Sequence, residues 1–503
     1  MLAWTIYLSF LGAMVIRFMP AKSPAVARIV ALLFALAGLA IAIAALIKDP
    51  SGQLVTIVEK PWIAGLGIEY HLAVDGISLV LVLLTGIAAV AGILFSWNVD
   101  HRVKDFLALY LVLIGAVYGV FLSFDLFELF VFYEIAIVPK YFLIAIWGST
   151  RREYAAMKLV LYSFAGSALV LAGMAAAYVV CGEHTFNLEN LAHYPFPVHF
   201  QMWAFPLVFV GFAVLAGMWP FHTWAPTGHA AAPTAASMLL AGVVMKLGAY
   251  GCLRVAMMLF PRGLDPWGFR VLGFGSWQQV FAVLAVIGIV YGASIALVQK
   301  DLKFVIGYSS VSHMGFVLLG LMTLNQIGLS GAVYQMFSHG IIAGLLFAVV
   351  GRMVYDRTHT RELAELARIP LARLIPFAAV TFVLALMASV GLPGFSGFIA
   401  ELEVLLGGWR AFPALPWISC IAGAGIVIGI AFSWRALQAT FFGEHTKMPE
   451  HPLPPITVPE RLGACLLLGS TLALGLYPRL LMNLILPSLH GPLFEQLRRS
   501  GWR

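Results

Sequence analysis

Apolar residues run along this chain in long blocks, broken at intervals by short clusters of Gly, Pro and charge. A membrane-crossing helix needs about 20 mostly apolar residues, and on that measure the chain divides into fourteen spans. They lie at 2–19, 26–47, 72–96, 106–122, 125–147, 155–181, 203–221, 231–258, 278–298, 302–322, 327–354, 371–407, 414–441 and 461–485, and are numbered 1 to 14 in that order. The pattern predicts an all-α polytopic membrane protein, a single membrane domain over 1–503. Span 12 is too long for one straight crossing and contains Gly391, Pro393, Gly394 and Gly397. Span 7 is similarly interrupted, at Gly217, Pro220 and Pro226. Both are expected to be discontinuous helices, five spans apart. Paired broken helices whose freed backbone groups line a polar cavity are the pattern of inverted-repeat transporters; the alternative is that two spans happen to hold Pro and Gly.

Composition narrows this. Of 503 residues 61% are hydrophobic and 11% charged, and mean hydropathy is +0.94. A soluble chain carries roughly a quarter of its residues charged, so soluble enzyme, nucleic-acid binder and disordered scaffold are excluded for the whole chain. The net charge of +7 belongs to membrane loops, because no soluble stretch is long enough to carry a basic nucleic-acid-binding face. With the N-terminus outside, the loops after odd-numbered spans carry 18 Lys and Arg, and the opposite loops with the C-terminus carry 10; Lys140 and Lys246 fall inside spans. The positive-inside rule then places both termini in the periplasm of a bacterial inner membrane, although Arg498, Arg499 and Arg503 put a basic tail on that side. The run from Leu2 to Phe18 is accompanied by Arg17, Lys22 and Arg28 rather than a small-residue cleavage site, the pattern of a retained first helix. Cys181, Cys252, Cys420 and Cys465 are far apart and form no CxxC pair, so neither a metal nor a redox cofactor is expected.

A charge at the bilayer centre costs on the order of 3 kcal/mol, which makes each one a functional candidate. Five qualify: Glu134 and Lys140 in span 5, Lys246 in span 8, and Glu401 and Glu403 in the second part of span 12. Glu134 is nine residues into its span, about 14 Å at 1.5 Å per residue, and Lys246 is similarly central. A structural pair locking two helices is one reading, disfavoured because such pairs often gain little net stability. His313 and His339, in spans 10 and 11, favour the other. A lone intramembrane histidine is often only a packing residue, but the order acid, lysine, histidines, acid predicts a proton relay across the protein. No phosphate loop, HExxH or nucleophile elbow appears.

Several segments carry a family resemblance. They are LFELFVFYEIAIVPKYFLIAIWG (126–148), AAMKLVLYSFAGS (155–167), FHTWAPTGHAAAPTAASMLLAGVVMKLGAYG (221–251), DLKFVIGYSSVSHMGF (301–316), YQMFSHGI (334–341) and GLPGFSGFIAELEVLLG (391–407). In this order they resemble the antiporter-like membrane subunits of respiratory complex I. The resemblance implies fourteen transmembrane helices: N-terminal helices within 1–122, two inverted five-helix repeats at 106–258 and 278–441, and a last helix at 461–485. It implies a non-redox, proton-translocating subunit of an NADH:quinone oxidoreductase, driven by quinone reduction elsewhere. No cofactor is implied in this chain. The implied partners are the other membrane subunits, including neighbouring antiporter-like ones, and the lipid bilayer, with no nucleic acid. Glu134 then matches the family's span 5 glutamate, Lys246 the central lysine of span 8, and His313 and His339 the histidines of spans 10 and 11. Glu401 matches the acid of broken span 12, where sister subunits have an exit lysine. Lys158, Asp301 and Lys303 fall in matching segments nearer the membrane face, as interfacial anchors or relay groups. Subunits of multi-subunit Na+/H+ antiporters and membrane-bound hydrogenases share these motifs, and a scaffold that has lost pumping is a further alternative.

One departure bears on that last alternative. The family usually has a lysine in span 7, where FAVLAGMWPFHTW places Leu215, and the family's WLPDAH reads WAPTGH, with Thr227 in place of the acid. Lys140, six residues after Glu134, is a candidate replacement. An ideal helix does not put the two on one face, but Pro139 removes a backbone hydrogen bond and can unwind the helix locally. The alternative is that Lys140 snorkels to the membrane surface near Trp147.

Overall fold

The computed structural model describes every residue except 21–23, 269–272, 413–415, 445, 447, 450 and 500–503. Lys22, Arg503 and the first two positions of span 14's neighbour at 414–441 therefore lie outside the described residues. Each expected span coincides with helix, but not each as one straight crossing. Among the described residues, eleven helices are long and apolar enough to cross a membrane, or twelve if the bent pair Val458–Leu476 and Arg479–His490 counts as one. Span 1 is the shorter helix Ala3–Phe18, and span 12 divides into Pro376–Ser389 and Ser396–Ala411.

The described residues also contain one piece of sheet, which the span pattern does not anticipate. Strands β1 (Val55–Ile63) and β2 (Ile68–Val74) pair antiparallel as a hairpin between spans 2 and 3. Its β-branched residues favour extended backbone, and Gly67 turns the chain at φ 65°. Span 3 consequently starts at Gly76, capped by Asp75, whose carboxylate accepts from Ser78 N at 2.9 Å.

Helices Gly76–Phe95, Thr234–Met257 and Gln326–Thr358 are wholly buried along their most apolar stretch. They form the core against which the others pack, and small residues allow the closest approach. A Cβ added at Gly340 would lie 2.6 Å from the Gly242 carbonyl oxygen, so the backbones of spans 8 and 11 touch there. His339 is adjacent to that contact and Lys246 one turn beyond it.

Candidate functional site

Three interruptions of regular helix build the site. In span 8 the helix widens into a π-turn over Leu240–Val244, the kind of bulge found at functional positions. Within this segment the Ala241 carbonyl accepts from the Lys246 ammonium. Lys246 is fully buried, and Nζ also lies 2.7 Å from His339 Nδ1 of span 11.

The second interruption is in span 12. In an unbroken helix the Ser389 carbonyl would accept from the N–H of residue 393, but that residue is proline and has none. The helix stops at Ser389, and Gly391 and Gly394 turn the chain at φ 70° and 101°. The freed Ser389 carbonyl lies 2.9 Å from His313 Nε2, and His313 Nδ1 lies 2.8 Å from the Ser309 carbonyl. Glu401, on the restarted helix, brings Oε1 to 3.5 Å from His313 Nε2. The His313 and His339 rings stack with centroids 5.4 Å apart. A cavity of about 10 Å³, room for one water, is lined by both histidines, Gln335 and Glu401. Lys246, His339, His313 and Glu401 thus form one continuous buried line.

The third interruption, in span 7, extends the line at its other end. The helix breaks at Gly217 (φ 81°), resumes as Trp224–Ala231 and stops before Pro233. Its terminal carbonyls are taken by cations and hydroxyls. Ala230 O accepts from Arg361 at 2.7 Å, Ala232 O from Lys303 Nζ at 2.9 Å, and His229 O from Ser237 at 2.8 Å. His229 is fully buried, interacts electrostatically with both Lys246 and Lys303, and has no protein hydrogen-bond partner at either ring nitrogen. Lys303 and Asp356 line a polar cavity of about 410 Å³ that also meets Ser96, Asp100, Ser149 and Thr234, all on the face carrying the loops after odd-numbered spans.

The remaining candidates are placed apart from this line. Helix Leu126–Ile135 ends at Ala136 and restarts at Ile137, three residues before Lys140. Lys140 is buried, 1% exposed, and so does not reach the membrane surface; its ammonium has no hydrogen-bond partner. Glu134 is half-buried beside Ser167, with Oε1 unpartnered. The two interact electrostatically but form no ion pair within 4 Å. Among the described residues no hydrogen bond or ion pair joins them to Lys246. Leu215 is buried in span 7, against Gly248 of span 8. Lys158 reaches Thr227 Oγ1 at 3.5 Å. Asp301 caps span 10 by accepting from Lys303 N at 2.8 Å and pairs with Arg361 at 3.1 Å. Glu403 accepts from Ser330 at 3.1 Å.

His222 and His229, both in the segment FHTWAPTGH, are not among the residues expected from the sequence; both are buried with unpartnered ring nitrogens. Nor are Arg254 and Asp75, a fully buried ion pair.

Comparison with known proteins gives a concordant result. A family model described as "NADH:quinone oxidoreductase/Mrp antiporter, TM" matches residues 123–429. NADH-quinone oxidoreductase subunit M of Rhodobacter capsulatus is 38% identical over 454 residues, covering 88% of this chain and 85% of that protein. A chain of respiratory complex I from Thermus thermophilus superimposes with a TM-score of 0.87 at 27% identity, covering 99% of both chains. A chain of the Mrp complex from Dietzia sp. DQ12-45-1b shares the fold, with a TM-score of 0.85 at 21% identity over 99% of this chain and 98% of that one.

Proposed function

The chain belongs to the NADH:quinone oxidoreductase/Mrp antiporter transmembrane family, and on that premise we propose that its buried lysine, histidine and glutamate line carries the protons. The chain is an antiporter-like membrane subunit of an NADH:quinone oxidoreductase in a bacterial respiratory complex, one membrane subunit among others. In the proposed path a proton enters from the polar cavity at Lys303, passes His229 to Lys246, and moves through His339 and His313 to Glu401. The observation that carries this reading is the unbroken contact from Lys246 through the two stacked histidines to Glu401.

The drive is electrostatic. Two unit charges 6 Å apart interact by about 3 kcal/mol at an effective dielectric near 20, about a hundredfold in proton affinity. A change of charge at one buried site therefore suffices to pass a proton to the next. The reading needs no cofactor in this chain, because the energy arrives from quinone reduction in other subunits. Lys140 supplies the ammonium that Leu215 lacks, setting the charge state of Glu134. Both termini face the periplasm of the inner membrane, as the loop charges indicate.

The test is the proton-to-electron ratio of the whole complex reconstituted in vesicles. Lys246→Ala is expected to lower it relative to wild type; an unchanged ratio would make the chain a scaffold that does not pump.

A further inference from the structure

Lys246, Tyr250 and Arg254 follow one another at intervals of four residues along span 8, about 6 Å per step. Arg254 is fully buried near the end of the span, on the face of the protein that carries the hairpin. Its guanidinium pairs with the Asp75 carboxylate. Three aromatic rings cage it: the Phe124, Tyr250 and Phe494 centroids lie 5.4, 5.5 and 5.6 Å from its central carbon. Tyr250, one helical turn from Lys246, belongs to this cage and carries its hydroxyl into a small polar contact. Ser78 Oγ lies 3.0 Å from Tyr250 Oη, which donates to the Phe121 carbonyl at 3.2 Å. On the other side of Asp75 is an open cavity of about 320 Å³, lined by Lys48, Asp49, Gln53 and Asp75. The lysine is therefore about two helical turns, roughly 12 Å, from an ion pair whose carboxylate lines an open cavity on the hairpin face. Its proposed supply comes from the opposite face.

We propose that Arg254 is an electrostatic plug, sealing the lysine compartment from the hairpin face so that a proton on Lys246 leaves only through His339. A guanidinium holds its protons too tightly to relay one, and because Asp75 lies on the cavity side of the pair, its positive end faces inward and opposes a proton leaving the lysine toward the hairpin face, as cationic residues do in selective pores. The aromatic cage excludes the water that would bypass it. Asp75, anchored as the helix cap, holds the guanidinium in place. Without the plug, Lys246 would communicate with both faces at once and the membrane would leak. The inference rests on the reading of Lys246 as a proton carrier, and a leak measured without turnover separates it from that reading.

The experiment uses the purified complex in vesicles with an imposed pH gradient and no NADH, with gradient decay followed by an entrapped pH dye. Arg254→Gln, which fills similar space and retains hydrogen-bonding groups, is expected to dissipate the gradient on the order of tenfold faster than wild type, the effect of about 1.4 kcal/mol of lost barrier. Arg254→Lys keeps the charge and should remain tight. Asp75→Asn keeps the cation, the helix cap and an oxygen acceptor for the guanidinium, and should leak clearly less than Arg254→Gln. Adding Lys246→Ala to Arg254→Gln should abolish the leak. A tight Arg254→Gln complex overturns the proposal. Equal leaks in Asp75→Asn and Arg254→Gln overturn it too, because that is the behaviour of a purely structural pair. A leak that survives Lys246→Ala overturns the route through the lysine. If instead Lys246→Ala leaves pumping intact, the proton-line reading fails on its own measurement.

Discussion

Lys246 Nζ stands 2.7 Å from His339 Nδ1. A charged ammonium only donates, so Nδ1 accepts and the proton of the neutral ring resides on Nε2. That nitrogen has no protein partner, and His339 lines the cavity of about 10 Å³ shared with His313 and Glu401. One imidazole thus takes a proton at one end and releases another at the opposite end. A side chain that only hydrogen-bonds cannot do both.

His339→Gln tests this. Glutamine can accept from Lys246, which preserves much of the packing, but it cannot relay. General acid-base groups contribute at least about a hundredfold to proton-transfer steps, so the pumping rate of the reconstituted complex should fall on the order of a hundredfold. Because Lys246 and His339 act in series, the Lys246→Ala/His339→Gln double variant should pump no more slowly than the worse single variant. A further multiplicative loss in the double variant would place the two on separate paths.

Pro393 offers a second test, through the backbone. Its missing N–H leaves the Ser389 carbonyl free for His313, at 2.9 Å. Pro393→Ala restores a donor, and the released helix can extend toward Gly391. His313 would then compete with a backbone amide for its acceptor, and its approach to Glu401 would loosen. The expected result is an assembled complex with a reduced proton-to-electron ratio. A Ser389→Ala variant, which leaves the carbonyl in place, should pump as wild type.

These two positions also mark how far the sequence was readable. Hydropathy alone located the helices, because an apolar helix in lipid satisfies its own backbone and needs only length, although among the described residues eleven or twelve rather than fourteen are long and apolar enough to cross. The breaks in spans 7 and 12 were readable for the same reason, since Pro and Gly remove donors and permit positive φ. The π-turn at Leu240–Val244 was not, because its residues, LAGVV, carry no local signal. The hairpin was hidden because nine- and seven-residue strands fall below the length that marks a crossing, and the end of the second, at 72–74, merges with the apolar block of span 3. His229 lay in a quoted segment, but its burial between Lys246 and Lys303 depends on three helices meeting. Arg254 lies four residues before the end of span 8, where a cation reads as an interfacial anchor; the aromatic cage and Asp75 come from distant parts of the chain.

The Lys140 reading makes a prediction that a packing role does not. Lys140 is buried with an unpartnered ammonium, and Leu215 is buried at the span 7 position where the family resemblance implies a lysine. Lys140→Met should reduce pumping to the level of Glu134→Gln. Adding Leu215→Lys to Lys140→Met should restore a substantial part of it, because the ammonium is returned to the same acid from another helix. Normal pumping by Lys140→Met, beside a defective Glu134→Gln, would end the replacement idea. Failure of Leu215→Lys to rescue would show that the ammonium must come from span 5.

The last prediction separates assembly from pumping. Glu460, 1% exposed at the start of helix Val458–Leu476, pairs with Arg357 Nη2 at 2.7 Å and with Arg352, and accepts from Thr457 N at 2.9 Å. Both arginines project from the end of span 11, so this carboxylate joins the last helix to the core helix that carries His339. Glu460→Gln keeps the shape and the cap but leaves the buried Arg357 without a carboxylate, its guanidinium held only by the carbonyls of Arg352, Pro454 and Pro455, while Arg352 keeps Asp356 at 3.0 Å. Removing one partner of a buried ion pair costs about 3–5 kcal/mol, enough to change the amount of folded protein in a cell several-fold. Glu495→Gln is the control: its pair with Arg499 is exposed, 41% and 77%, and surface pairs of that kind contribute at most about 1 kcal/mol. Native gels of solubilised membranes should show several-fold less assembled complex for Glu460→Gln and an unchanged amount for Glu495→Gln. The complex that does assemble with Glu460→Gln should retain the wild-type proton-to-electron ratio, because Glu460 lies off the proton line.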